Sequence, residues 1–110
     1  MHSLKDKVVL VTGASSGIGK SCARAFAAEG ARVLMCARRA DRIKSFAAEL
    51  KKEFGVPVHA FGLDVRDPAA VEKAIGGLAK EWRAIEVLVN NAGLSRGLDK
   101  LHQGLLSDWE

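Results

Sequence analysis

Four short apolar runs, separated by stretches with helical spacing, constrain this chain of 110 residues more than any other feature. Val8-Val9-Leu10-Val11 comes first, and the run from Arg32 to Ala37 follows. Neither alternates apolar with polar residues, so each reads as a strand covered on both faces. A third run covers about Val58 to Gly62, and a fourth about Glu86 to Asn90. Strands of this kind, interrupted by helices, predict a parallel sheet with helices on both sides.

The intervening segments supply those helices. The first starts near Ser16 or Gly17, with Ile18, Cys22, Ala25 and Phe26 as its expected inner face and Gly30 at its C-terminal cap. Asp41 is placed to help cap the second, where Ile43, Phe46, Ala47, Leu50 and Phe54 form one stripe. Gly55 and Pro57 punctuate its end. Asp67 as N-cap and Pro68 at the first helical position open the third. Its buried stripe is Val71, Ile75, Leu78, Ala79 and Trp82, interrupted by Gly76-Gly77. After Asn91 the pattern loosens through Gly93, Gly97 and Gly104, and Leu105 to Glu110 reads as the start of another helix. The resulting order is β-α-β-α-β-α-β. Right-handed crossovers then predict one α/β domain over residues 1–110, with strand order 3-2-1-4 and a crevice where the chain reverses direction between strands 1 and 4.

Composition narrows the class. Hydrophobic content of 48% and charged content of 27% suit a soluble globular protein. The apolar runs are far too short to cross a bilayer, and the N-terminal residues, without an apolar h-region or small-residue cleavage site, predict a chain that is not secreted. Cys22 and Cys36 lack metal-ligand spacing and read as small core residues of a reducing, cytoplasmic compartment. Residues 1–55 hold 11 basic and 5 acidic groups, whereas residues 56–110 hold 6 and 8. Nucleic acid would favour a long basic stripe with interleaved aromatics, which is not present. Arg38, Arg39 and Arg42 cluster instead at one turn, which favours a phosphorylated small molecule.

Between the first strand and the first helix lies Thr12-Gly13-Ala14-Ser15-Ser16-Gly17-Ile18-Gly19. Gly13 permits the tight turn out of the strand, Gly17 lets backbone approach a phosphate, and Gly19 lets the helix pack close. The helix N-terminus adds free N–H donors and partial positive charge, which suits a dinucleotide pyrophosphate. The plain alternative is a glycine-rich turn that binds nothing; the placement between strand and helix argues against it. The end of the second strand selects the dinucleotide. An acid there takes the ribose hydroxyls of NAD, but this chain has Cys36-Ala37-Arg38-Arg39. A guanidinium binds a 2′-phosphate through charge-assisted hydrogen bonds, so NADP(H) is favoured over NAD(H), with Arg38 ahead of Arg39 and Arg42. A solvated basic helix start is the competing reading.

With Leu63-Asp64-Val65 and Asn90-Asn91-Ala92-Gly93 added to the glycine loop, the chain resembles the short-chain dehydrogenase/reductase family, which has a Rossmann-type, doubly wound sheet. The three motifs stand in the family's order and spacing. The resemblance implies that Asp64 and Val65 bracket the adenine, with the carboxylate taking its amino group. It implies that Asn91, Ala92 and Gly93 run beside the cofactor ribose, and that Asn90 and Asn91 tie the fourth strand to its neighbours. The segment from Glu81-Trp82 to Ser107-Asp108-Trp109-Glu110 is similar to the branch of bacterial NADP-dependent 3-hydroxy acid and serine dehydrogenases.

The family moves hydride between an alcohol or carbonyl and the nicotinamide, using a serine, a tyrosine and a lysine, with an asparagine completing a proton relay. This chain has no tyrosine, and none of those four positions has a match in it. Ser95, Ser107 and Lys100 are wrongly placed for the roles, and His59 and His102 lack partners at suggestive spacing. The resemblance therefore spans about the first half of such an enzyme, a sheet cut off after about four strands, and no catalytic residue is carried over. The expectation is a chain that binds dinucleotide without turnover, with the small alcohol or carbonyl substrate belonging to a longer parent. A non-catalytic or self-assembling structural fragment is the alternative. Val87-Leu88-Val89 would then be an apolar sheet edge that recruits a second copy.

Overall fold

The computed structural model describes residues 4–91. Four parallel strands form one sheet: β1 (Val8–Val11), β2 (Arg32–Ala37), β3 (Val58–Gly62) and β4 (Ile85–Val89). They lie in the order β3-β2-β1-β4, as the crossover argument requires. Three helices connect them: α1 (Gly17–Ala28), α2 (Lys44–Phe54) and α3 (Pro68–Gly76). The bounds of β1, β2 and β3 match the apolar runs, and β4 starts and ends one residue earlier than its run suggests. Register between β1 and β4 is irregular, Val8 standing opposite Ile85 and Val9 opposite Val87.

Because side chains alternate across a strand, the sheet divides the core in two. On one side Val9, Val11, Val33 and Met35 pack with Ala23 and Ala27 of α1 and with Ile43, Ala47 and Leu50. On the other, Val8, Leu10, Leu34 and Cys36 pack with Val71 of α3 and with Leu63, Val65, Leu78 and Ile85. Both central strands are thus covered twice, which is why their buried residues are all apolar, Arg32 standing at the less buried start of β2. Cys22 belongs with the first cluster and Cys36 with the second, so the sheet separates the two thiols.

The structure corrects three expectations about the helices. In α1 the buried residues are Gly19, Ala23 and Ala27, not the larger apolar ones. Ile18 is 71% exposed and lies outside the core, and Ala25 is exposed. Small side chains let the helix axis sit close to the sheet, and the larger Cys22 and Phe26 flank the contact. Asp41 does not cap α2: it sits in a tight turn (Ala40–Arg42) and pairs with Arg39, while Ile43 occupies the N-cap position without a side-chain bond. The third helix stops at Gly76 rather than running to Trp82, because Gly76-Gly77 is a poor place to continue. Leu78 still reaches the core, but Ala79 is exposed and Trp82 lies in a separate turn.

Other local signals act as the residues suggest. Gly30 and Gly55 take left-handed φ values of 86° and 66° at the ends of α1 and α2. The Asp67 carboxylate accepts from the N–H groups of Ala69 (3.1 Å) and Ala70 (3.2 Å) at the start of α3.

Candidate functional site

The loop from Thr12 to Gly19 is fixed at both ends before any ligand is considered. Gly13 takes φ 59°, which turns the chain sharply out of β1. The Ala14 N–H donates to Cys36 O at 3.1 Å, tying the loop to the end of β2. Ser16 caps α1: its hydroxyl donates to Gly13 O (2.9 Å) and accepts from the Gly19 N–H (3.0 Å). That hydroxyl is consumed in shaping the loop, whereas Ser15 lines the open cleft. The N–H groups of Gly17 and Ile18 remain without partners among the described residues, as the first turn of a helix leaves them.

Gly17 and Gly19 do different work. A Cβ on Gly17 would meet nothing within 4 Å, so its face of the helix start is open. A Cβ on Gly19 would lie 2.4 Å from Gly13 O and 2.9 Å from Ala14 Cα. The first glycine leaves space for a ligand; the second lets the helix close on the loop.

A cleft of about 680 Å³ opens beside this loop, at the carboxyl ends of the strands. Gly13 and Ser15 line one side, Arg38, Arg39 and Arg42 another, and Leu63, Asp64, Val65 and Arg66 a third. Residues scattered from 13 to 66 in sequence are thus brought together at one opening. Arg39 is engaged with Asp41, at 3.2 Å. Arg38 and Arg42 form no ion pair among the described residues, so two of the three guanidinium groups are available to an anion.

Asp64 is held more firmly than its sequence position suggests. Arg66 grips both carboxylate oxygens, Nε to Oδ1 and Nη2 to Oδ2, each at 3.0 Å, and its backbone N–H donates to Oδ1 at 3.0 Å. The Arg66 hydrogen bonds, with smaller help from the charges of Arg66 and Arg38, pull the Asp64 carboxyl down to about 2. The group is therefore an ionised acceptor at any physiological pH.

On the opposite side of the glycine loop, Thr12 joins β1 to the end of β4. It is buried; its N–H donates to Val89 O at 2.9 Å, and its Oγ1 accepts from the Asn91 N–H at 3.1 Å. The same hydroxyl lies 3.2 Å from Asn90 Oδ1, to which it donates. The expected tie between the two asparagines and the neighbouring strand is thus made through Thr12. Asn91 Nδ2 is buried without a hydrogen-bond partner among the described residues. Ala92 and Gly93, expected beside the ribose, lie outside the described residues, as do Ser95, Lys100, His102, Ser107 and the segment from Leu105 to Glu110.

Two contributors were not singled out from the sequence. Thr12 gives no local sign, because its partners lie 77 to 79 residues away. Arg66 could have been found: an arginine two residues after an aspartate in a polar loop is a recognisable local ion pair.

The model of the short chain dehydrogenase family matches residues 7–110. The chain belongs to that family. Within it, this short-chain dehydrogenase chain is 45% identical over 103 residues to the NADP-dependent 3-hydroxy acid dehydrogenase YdfG of Salmonella typhi, covering 94% of this chain and 40% of that protein. It is 43% identical over 102 residues to the serine 3-dehydrogenase of Agrobacterium fabrum, covering 93% of this chain and 39% of that protein. Among solved structures it is similar to L-sorbose reductase from Gluconobacter frateurii, crystallised with NADPH and L-sorbose. The TM-score is 0.76 at 39% identity, over 84% of this chain and 35% of that one. The chain thus spans about 40% of the length of these full dehydrogenases.

Proposed function

We propose that this chain forms the adenine, pyrophosphate and 2′-phosphate part of an NADP(H) site in a short-chain dehydrogenase/reductase. One observation carries the reading: Arg38 stands in the cleft with the glycine loop and Asp64, with no anion paired to it among the described residues. The remaining geometry fits the same ligand. The N–H groups of Gly17 and Ile18, unpartnered among the described residues, would donate to the pyrophosphate, and the open face of Gly17 would leave it room. Asp64 and Val65, which line the cleft, would bracket the adenine, and Arg39 and Arg42 would add positive charge around the 2′-phosphate. Asn91, with Ala92 and Gly93 after it, would run beside the cofactor ribose. When bound, NADP(H) supplies the hydride chemistry; the residues described here bind and orient it.

The parent reaction would be reversible oxidation of a small alcohol to a carbonyl, a 3-hydroxy acid being the favoured substrate class. The names of the Salmonella typhi and Agrobacterium fabrum relatives support that class. This chain contains no tyrosine to act as general acid/base, so the reading has it bind the dinucleotide without turnover by itself. It would act in the cytoplasm, with nucleotide rather than nucleic acid or membrane as its partner. The three arginines of the basic first half that line the cleft, Arg38, Arg39 and Arg42, support a phosphorylated small molecule as that partner. We extend the proposal to self-association through β4, whose Val87, Leu88 and Val89 are only half-buried. Sedimentation of the chain as a single species of monomer mass would remove that extension.

Calorimetric titration with NADPH and with NADH, on the wild type and on Arg38→Asp, tests the core of the reading. A charge-assisted bond to phosphate contributes about 1.5–3 kcal/mol, so the variant should lose at least about tenfold in NADPH affinity and leave NADH little changed. Equal affinity of the wild type for the two dinucleotides would show that the cofactor assignment is wrong.

A further inference from the structure

Asp64 creates a difficulty for a site that must attract a phosphate. A carboxylate in the same cleft as Arg38 repels an incoming anion and competes for the guanidinium. Arg38 and Asp64 also both line a neighbouring cleft, beside His59 and Phe61, so they face common space on two sides. Arg38 nevertheless forms no ion pair with Asp64, although its charge is felt there. Both oxygens of the carboxylate are instead taken by the guanidinium of Arg66 in a two-point fork.

Resting on the NADP(H) reading above, we infer that Arg66 is a positioning residue for dinucleotide choice: its fork on Asp64 holds the carboxylate away from Arg38 and leaves Arg38 free for the 2′-phosphate. Arg66 acts through two other side chains and makes no contact of its own with the phosphate. It also fixes the direction in which Asp64 presents its remaining lone pairs, since Oδ1 is held by the Arg66 backbone N–H as well. Without the guanidinium that single backbone bond would be left, and Arg38 would become the nearest competing cation. The consequence would fall on the ratio of NADPH to NADH affinity, because only NADPH depends on an unpaired Arg38. A merely structural role for Arg66 would weaken both ligands together.

The test is calorimetric titration of the full chain with NADPH and with NADH, in the wild type, Arg66→Gln, Asp64→Asn and the double variant. The pair is exposed, so its effect is modest, and Arg66→Gln should lower the NADPH:NADH preference about fivefold. Adding Asp64→Asn should restore the preference to within about twofold of wild type, because no carboxylate remains to capture Arg38. Asp64→Asn alone should keep or raise it. If Arg66→Gln does not fold, Arg66→Lys, which retains the charge but not the fork, should show a smaller fall of the same sign. An unchanged ratio in Arg66→Gln or Arg66→Lys overturns the inference. So does a lowered ratio that Asp64→Asn fails to restore, which would put Arg66 on the phosphate directly. In both cases the NADP(H) reading stands, whereas a wild type without preference for NADPH removes that reading and this inference with it.

Discussion

Gly17 and Gly19 differ by two positions in one loop, and replacing each by alanine should have opposite effects on stability. Alanine in a helix is favoured over glycine by about 0.5–1 kcal/mol when the backbone accepts it, and neither residue has the positive φ that would forbid it. At Gly17 the new methyl group meets nothing within 4 Å, so Gly17→Ala should be neutral or gain up to that amount. At Gly19 the methyl group would stand 2.4 Å from Gly13 O and 2.9 Å from Ala14 Cα. Relief to an ordinary contact near 3.5 Å requires backbone to move by about an ångström. Overpacking of this kind costs about 1–3 kcal/mol, and the upper end applies because both obstacles are main chain. After the helix gain is offset, Gly19→Ala should lose about 2 kcal/mol, or roughly 10 °C in Tm for a domain of this size. Thermal unfolding followed by circular dichroism measures both. Titration with NADPH should show Gly17→Ala folded but at least about tenfold weaker, since its methyl group occupies the open space offered to phosphate. A Gly19→Ala protein melting within about 2 °C of wild type would refute the packing argument. A Gly17→Ala protein with undiminished NADPH affinity would refute the assignment of that space.

Three further outcomes are expected. Asp64, at about 2, stays ionised throughout the range from pH 8 to pH 5, whereas a phosphate monoester takes up its second proton near pH 6; the NADPH preference should therefore shrink as pH falls through about 6, with NADH affinity flat, as calorimetry at stepped pH would show. Burial pushes the Cys36 thiol up to about 12, so at pH 8 a thiol reagent should modify Cys22 in the native protein and Cys36 only on unfolding, a difference that mass spectrometry of labelled peptides would report. Thr12→Val keeps the shape of the side chain but strands the Asn91 N–H that the hydroxyl accepts from, and should cost about 1–3 kcal/mol in denaturant unfolding.

Where the chain announces its structure, one physical signal dominates. The extent of β1 and most of β2 could be placed because a doubly covered strand is apolar where it is buried, and that of β3 because Gly55 and Pro57 precede it and Gly62 closes it. The inner face of α1 was misjudged because hydrophobicity points to the large residues Ile18 and Phe26, while close approach to the sheet selects Gly19, Ala23 and Ala27. The length of α3 was overestimated because Leu78 and Trp82 continue the helical period even though Gly76-Gly77 ends the helix. At the site, the glycine spacing and Arg38 were readable since each acts through its own residue type. Thr12 was not legible because its role depends on a partner strand distant in sequence, and Arg66 because it acts only through Asp64.

The Thr12 linkage also orders events in time. β1 is the earliest strand in the chain and is hydrogen-bonded to the last described one, β4, with Thr12 joined to residues 77 to 79 positions later. During synthesis, at about 5–20 residues per second, β1 can pair with β2 seconds before its other edge has a partner. The side of the phosphate loop that rests on Val89 and Asn91 cannot settle until those residues have been made. The loop that comes first in the sequence is therefore among the last parts of the cleft to become fully formed, and a nascent chain halted before Asn91 should carry the whole glycine motif without a finished place for a dinucleotide.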